Sequence, residues 1–211
     1  MAFFDEIANR TNQMITFTSV ASGQSVSFPA FVTSFSDGYT LGWGGSTPFG
    51  RVDPIKSYQN TSRRINATFD ILGKDEPTAR QNFEKYSALI QMMYPVYSDP
   101  IGPNNKSRTI RAAPLMRIKY VNYLRSETSP HGLLGCIQGV TFAPKFESGH
   151  FVDPNSGDLM PLVYTMSLVF EPLHESPLGT DERGQFLSQK FPYNQGSPTV
   201  SGRQPAGDPT E

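Results

Sequence analysis

Apolar and polar residues alternate most cleanly at residues 65–71. Ile65, Ala67, Phe69 and Ile71 fall on one side of an extended chain; Arg64, Asn66, Thr68 and Asp70 fall on the other. That period of two predicts a strand with one buried face. The period then lengthens to that of a helix. Asp75, Glu76 and Pro77 suit a helix start, because acidic side chains favour the positive end of the helix dipole and proline fits the first helical position. Ala79, Phe83, Tyr86, Leu89, Ile90 and Met93 follow as an apolar stripe at helical spacing. Pro95 ends the helix by disfavouring helical dihedrals at Tyr94, so the predicted helix covers residues 76–94. Ahead of the strand, residues 49–55 read as irregular, and residues 58–64 lead into it.

The rest of the pattern is mostly strand. Residues 14–20 and 25–35 predict a hairpin turning at Ser22, Gly23 and Gln24. A bulge or a sheet edge is expected at Pro29, where the alternation of Val26 and Phe28 shifts to Phe31, Thr33 and Phe35. Asp37 and Gly38 read as a turn, and residues 43–50 as too glycine-rich for a regular element. Residues 98–106 predict an exposed loop. Residues 115–124 predict a strand with Met116, Ile118 and Tyr120 on one side, followed by a turn at 125–132. Residues 133–146 predict the next strand, in which Gly135 and Gly139 allow close backbone approach. A loop at 147–157 and a strand at 162–170, burying Tyr164, Met166, Leu168 and Phe170, complete the pattern. Many short strands to one helix predict a mainly β (α+β) fold, a barrel or sandwich of antiparallel strands with one flanking α-helix. Residues 13–171 form the domain, residues 1–12 a short leader, and residues 172–211 an extended Pro/Gly-rich arm. One apolar island, residues 185–193, interrupts the arm and is expected to gain more by docking on a neighbour than by folding back.

Composition narrows the function. Eighteen Lys and Arg stand against 19 Asp and Glu, a net charge of −1, which provides no global attraction to nucleic acid or to an anionic membrane. A local cluster, Arg51, Lys56, Arg63 and Arg64 with Asp53 and Tyr58 among them, fits either phosphate contacts with a stacking ring or a surface where arginines meet the carboxylates of another subunit. The neutral chain favours the second. No stretch reads as a signal peptide or as a bilayer-spanning segment, so no membrane association is expected. The single cysteine, Cys136, excludes internal disulfides and reads as a small buried hydrophobe.

Chemistry-bearing patterns are sparse. His131, His150 and His174 lie in none of the spacings that bind zinc, and no GxSxG elbow accompanies a serine. Residues 42–45, Gly-Trp-Gly-Gly, lack the lysine and hydroxyl of a phosphate loop. Residues 151–158 lack calcium-loop spacing and read as a turn held by Asx side chains. No catalytic residue, cofactor or metal is therefore predicted. Two alternatives remain: a cell-wall hydrolase using Glu147, His150 and Asp153 in a cleft, and a peptidoglycan-binding module with Trp43 and tyrosines as stacking platforms.

Several stretches together suggest a family. These are Phe49-Gly-Arg-Val-Asp-Pro-Ile-Lys-Ser-Tyr-Gln-Asn-Thr-Ser-Arg-Arg, Leu89-Ile-Gln-Met-Met-Tyr-Pro, Pro114-Leu-Met-Arg-Ile-Lys, Gly132-Leu-Leu-Gly-Cys-Ile-Gln-Gly-Val-Thr-Phe-Ala-Pro and Glu171-Pro-Leu-His-Glu-Ser-Pro-Leu-Gly. Over residues 40–180 the chain resembles tail-tube-like structural proteins at the baseplate end of contractile-tailed bacteriophages. The resemblance implies a ring of identical subunits, commonly a hexamer, around an axial channel, with a head-to-tail interface. Segments 42–56 and 98–106 and the two terminal extensions would contact neighbours. Trp43, Phe49, Arg51, Asp53, Tyr58, Arg63, Arg64, Phe186 and Phe191 are the interface residues it suggests. Arg64, Asn66, Thr68 and Asp70 would face the lumen or pack on the next ring. Implied partners are further copies of the chain, adjacent tail-tube proteins, a baseplate hub or sheath initiator, and DNA passing without sequence-specific binding. The implied location is the virion tail, assembled in the host cytoplasm. The arm at 172–211 is more than a bulk tube subunit needs, which suggests a tube initiator or an adaptor between tube and hub.

Overall fold

The computed structural model describes residues 13–99, 107–154 and 157–193. In chain order its elements are β1 (Met14–Ser19), β2 (Ser25–Pro29), β3 (Phe31–Ser46), β4 (Ile55–Leu72), α1 (Glu76–Met92), β5 (Val96–Tyr97), β6 (Ile110–Ala112), β7 (Met116–Tyr120), β8 (Leu133–Pro144), β9 (His150–Val152), β10 (Leu159–Pro161) and β11 (Val163–Pro172). Seven strands form one sheet in the order β2-β1-β7-β8-β11-β4-β3, every neighbouring pair antiparallel. β5 pairs with β6 and β9 with β10 in two small ribbons.

The two edges of this sheet, β2 and β3, are consecutive in the chain with only Ala30 between them. Seven flat strands would hold their edges roughly 29 Å apart, whereas one residue advances the chain about 3.8 Å. The sheet must therefore curl until its edges approach each other at Ala30, in the manner of a barrel. The inside of the curl is the core: Ile15 and Phe17 from β1, Phe28 from β2, Ile65, Phe69 and Ile71 from β4, Met116 and Ile118 from β7, and Tyr164, Met166, Leu168 and Phe170 from β11. Phe17 and Phe28 meet edge to face at 6.2 Å. The period-two readings of residues 65–71 and 164–170 match the observed core, and the β1–β2 hairpin turns at Gly23 with φ +70°.

α1 starts as its residues predict, with the Asp75 carboxylate accepting from the Thr78 N–H at 2.9 Å and Pro77 in the first turn. Its buried face is rotated from the predicted stripe. Ala79, Asn82, Leu89 and Met92 are buried, while Phe83 is exposed and Met93 caps the helix end. The cause is polar. The Asn82 amide donates to the Leu72 carbonyl at 3.3 Å, and the buried Tyr164 hydroxyl donates to the Asn82 carbonyl at 3.3 Å. The Asn82 side chain, turned inward, satisfies the end of β4, and the main-chain carbonyl of the same residue satisfies the tyrosine. Phe83 and Tyr86 instead lie against Phe142, Tyr86 stacked at 4.5 Å.

Other expectations need correction. Asp37 and Gly38 do not turn the chain: β3 runs through them, and through Trp43, Gly44 and Gly45, to Ser46. β4 already begins at Ile55. A ladder from Phe31↔Asp70 to Ser46↔Ile55, with register shifts at Val32/Ser34 and Gly42/Trp43, supplies the backbone bonds that glycine content seemed to deny. The glycines have a packing reason, because a side chain at Gly42 or Gly44 would collide with the cross-strand Asn60 or Ser57 side chain. Residues 25–35 are not one strand; they divide at Ala30 between opposite sheet edges, with Pro29 at an edge as expected. The strand predicted to 124 stops at Tyr120, where Val121 adopts φ +44° and Tyr120 pairs with Leu124 across the turn. β8 stops at Pro144, and the loop predicted at 147–157 contains β9. Gly135 is a close approach, with the Glu171 carbonyl and the Phe170 ring where a Cβ would stand, but Gly139 has open space beside it. Cys136 is half-buried. The leader at 1–12, most of the 98–106 loop and the end of the arm from residue 194 lie outside the described residues.

Candidate functional site

β11 pairs with β4 only from Leu72 back to Ile65, whereas β3 follows β4 out to Ile55. Beyond Arg64 the two strands continue as a two-stranded ribbon. Among the described residues, neither its β3 edge nor its β4 edge has a strand partner. A two-stranded ribbon is marginal by itself, and unpaired edges are templates for another strand. The tip, residues 47–54, carries Phe49 and Val52 almost fully exposed, with Arg51 and Asp53.

The two faces of the ribbon differ. Arg63 and Ile65 are buried on the core face of β4 and stand opposite Tyr39 and Asp37, so that Tyr39, Leu41 and Thr61 continue the core face outward. A register shift between Gly42 and Trp43 keeps Trp43 and Tyr58 on that side: their rings meet at 5.6 Å, and Tyr58 shares a 2.6 Å hydrogen bond with Thr61. The opposite face is polar: on the ribbon Ser62 donates to the Thr40 carbonyl at 3.4 Å, and in the body of the sheet behind it the same side satisfies itself. Asn66 donates to Ser36 at 3.2 Å, Thr68 meets Ser167 at 3.3 Å, Gln138 donates to Glu171 at 2.9 Å, and Arg64 lies 3.9 Å from Glu171. Asp70 accepts from Lys145 at 2.7 Å and Thr165 at 2.6 Å. Burial pushes its pKa up, but these donors outweigh that and hold it below the usual carboxylate value.

The C-terminal arm crosses the inner end of the aromatic face. Leu173 donates to the Leu134 carbonyl at 2.7 Å, Arg117 grips Glu175 through two nitrogens at 2.8 and 2.6 Å, and the Lys190 N–H donates to Glu127 at 2.7 Å. The hydrogen bonds from Arg117 hold the Glu175 carboxyl below its usual pKa. At Phe191 and Tyr193 the arm lies over a buried ion pair. Arg63 donates through Nε and Nη2 to Asp37 at 2.9 and 2.7 Å, and Asp37 also accepts from the Tyr39 and Tyr193 hydroxyls at 3.1 Å each. Arg63 Nη1 is buried without a hydrogen-bond partner. The guanidinium carbon instead lies 5.5 Å from the Tyr39 ring centre and 5.2 Å from that of Phe191, so two aromatic rings stand in for water. Burial raises the pKa of both Tyr39 and Tyr193, which keeps them neutral donors to Asp37. Beside this clasp a cavity of about 380 Å³ opens between ribbon and arm, lined by Tyr39, Tyr58, Thr61, Arg63, His174 and Leu178 among others.

His174 packs edge to face on Phe191 at 5.3 Å. Burial, then the nearby Arg63 charge, lowers its pKa from 6.5. A folded value below the unfolded one means that its contribution to stability is present above the ordinary histidine pKa and is lost as pH falls through the lowered folded value. Wild-type Tm is therefore expected to drop relative to His174→Asn as pH falls from neutral through the lowered folded value, and equal pH profiles would refute the assignment.

The residues singled out in the sequence are thus spread over five places. Trp43 and Tyr58 meet on the aromatic face, Phe49, Arg51 and Asp53 share the tip, and Arg63 and Phe191 meet in the clasp. Arg64 is on the polar face, so the basic residues 51–64 do not form one patch. Phe186 lies in the arm opposite Thr180 and is exposed. Of the island at 185–193, Phe191 and Tyr193 lie against their own chain, while Phe186 and Leu187 are exposed. Asp37, Tyr39, His174 and Tyr193 were missed. One signal was available, since Arg63 is in period-two register with Ile65, Ala67, Phe69 and Ile71. The hydrolase candidates do not form an open acidic cleft: Asp153 is buried and bound by Arg80 at 2.6 Å, while Glu147 and His150 are exposed on separate elements. Among the described residues no cluster of His, Cys, Asp and Glu could hold a metal, and no helix is long and apolar enough to cross a membrane.

No family model matches the chain, and no curated protein matches its sequence. Among solved structures it is similar to the SPP1 Dit (gp 19.1) protein, described as a paradigm of hub adsorption apparatus in phages infecting Gram-positive bacteria. That likeness has 12% identity and a TM-score of 0.36 over 75% of this chain and 49% of that one, so the chain spans about half the length of the Dit protein. It is also similar to a chain of the anti-feeding prophage baseplate, solved with 6-fold symmetry, at 8% identity and a TM-score of 0.29, over 74% of this chain and 87% of that one.

Proposed function

We propose that this chain is a non-enzymatic structural protein of a phage tail baseplate. Identical copies, six in the commonest case, close into a ring that initiates the tail tube or joins it to the central hub. The observation that carries the reading is the ribbon beyond Arg64, which offers one open edge on β3 and a different open edge on β4. Two unlike edges on one element are what a head-to-tail ring requires: the β3 edge of each copy pairs with the β4 edge of the next, and closure leaves no edge exposed. The residue resemblance described above supports the same reading. Phe49, Arg51 and Asp53 at the tip then reach toward adjacent tail-tube, hub or sheath-initiator proteins, and DNA passes through the lumen without sequence-specific contacts. Such a protein is assembled in the host cytoplasm and resides in the virion tail.

Sedimentation and negative-stain imaging of the purified chain across a concentration series test this. Closed rings, or stacks of rings, are expected. A monomer at every concentration would sink the reading, and so would cell-wall cleavage that disappears with Glu147→Gln.

A further inference from the structure

The ribbon carries the alternation of the core out past the body of the domain. On its aromatic face Leu41, Trp43 and Tyr58 are 53%, 55% and 56% exposed, and among the described residues the arm packs its Phe191 on Tyr39 and Arg63, short of Leu41 and Trp43. The cavity beside Tyr58 extends this uncovered surface inward. The other face needs no cover. On the ribbon Ser62 donates to the Thr40 carbonyl, and behind it on the same side of the sheet Arg64 lies 3.9 Å from Glu171, Asp70 pairs with Lys145, and Asn66 and Thr68 bond to Ser36 and Ser167. Burying that face would remove its groups from water and gain little, whereas burying the aromatic face removes three large apolar side chains from water.

We infer that assembly separates the two faces: the side bearing Leu41, Trp43 and Tyr58, with the adjoining cavity, is buried against a second copy of this chain, and the side bearing Ser62, Arg64, Asn66 and Thr68 stays wet. The inference rests on the ring reading and adds to it which side of the ribbon meets the neighbour's body. A second copy is the fitting occupant because the aromatic face lies directly between the two open edges. A copy that pairs with either edge brings its own hairpin and arm alongside, and that arm carries apolar side chains in need of cover, Leu178, Phe186 and Leu187. The wet face is then the one turned to the channel, with its charges already paired as DNA passes.

Trp43 is the sole tryptophan, so the native protein reports on its own interface. Between dilute monomer and assembled ring, Trp43 emission is expected to shift to the blue and its acrylamide quenching constant to fall about threefold, as for a residue entering an interface core. The double variant Trp43→Phe/Ser62→Trp moves the indole to the opposite face, where quenching should be the same before and after assembly. Rings that form while Trp43 quenching is unchanged would overturn the inference and leave the ring reading standing; protection at position 62 in place of 43 would reverse the faces. Failure to assemble at any concentration would overturn the ring reading, and this inference with it.

Discussion

Arg63→Ala is expected to destabilise the chain by about 3–5 kcal/mol, the usual cost of removing one partner of a buried ion pair. For a chain of this size that is a fall in Tm of roughly 6–20 °C. The reason lies in what remains. The Asp37 and Arg63 side chains are 3% and 1% exposed. Without the guanidinium, Asp37 would keep only two tyrosine hydroxyls, too little to hold an ionised carboxylate out of water. Tyr39 and Phe191 would also lose the cation between them, which loosens the arm. Arg63→Lys keeps the charge but loses the two-pronged geometry, so it should fall between wild type and alanine. Asp37→Leu/Arg63→Met, which removes both charges and keeps volume, should recover most of the loss. Urea melts give the stabilities, and cleavage within residues 173–193 reports the arm. A loss under about 1 kcal/mol for Arg63→Ala would mean that the pair is effectively solvated.

That pair also shows where the sequence could be read and where it could not. Residues 65–71 and 164–170 were legible because one face of each strand is wholly apolar, and α1 because Asp75 and Pro77 mark its start. Arg63 shares the register of Ile65, yet a charged residue carries no sign of whether its partner is 26 positions upstream or on another molecule. Its sequence context reads as a surface cation meeting a neighbour; in the fold it is buried against Asp37. Asn82 is hidden in the same way, since an asparagine whose amide turns inward onto the Leu72 carbonyl looks polar in any apolar count. The outer ribbon was harder still. Among the described residues neither of its faces is fully covered; Tyr39, Leu41 and Trp43 keep a period of two on β3, but the register shift breaks it on β4 between Asn60 and Tyr58, and glycines at 42, 44 and 45 disguise a strand as a loop. What hid the ribbon from a pattern search is the same exposure that makes it the candidate assembly site.

Removing residues 43–59 and closing the Gly42↔Asn60 pair with an Asn-Gly turn is expected to abolish assembly while leaving the domain folded. The turn suits a two-residue hairpin connection, and the shorter loop costs less entropy to close. The deleted stretch pairs only with itself and contributes none of the buried hydrophobic residues of the core. Stability should therefore change by less than about 1 kcal/mol, in keeping with the small worth of an isolated ribbon. Rings should be absent even at a concentration about 100-fold above that at which the full chain assembles, a loss of at least ~2.7 kcal/mol of association. This outcome is opposite in kind to that of Arg63→Ala, which damages the fold first. Sedimentation paired with thermal melts separates the two. If the shortened chain assembled as before, the interface would lie elsewhere on the domain. If it failed to fold, the ribbon would be part of the core, and the division of this hairpin into an inner half that folds the chain and an outer half that joins it to its neighbours would be wrong.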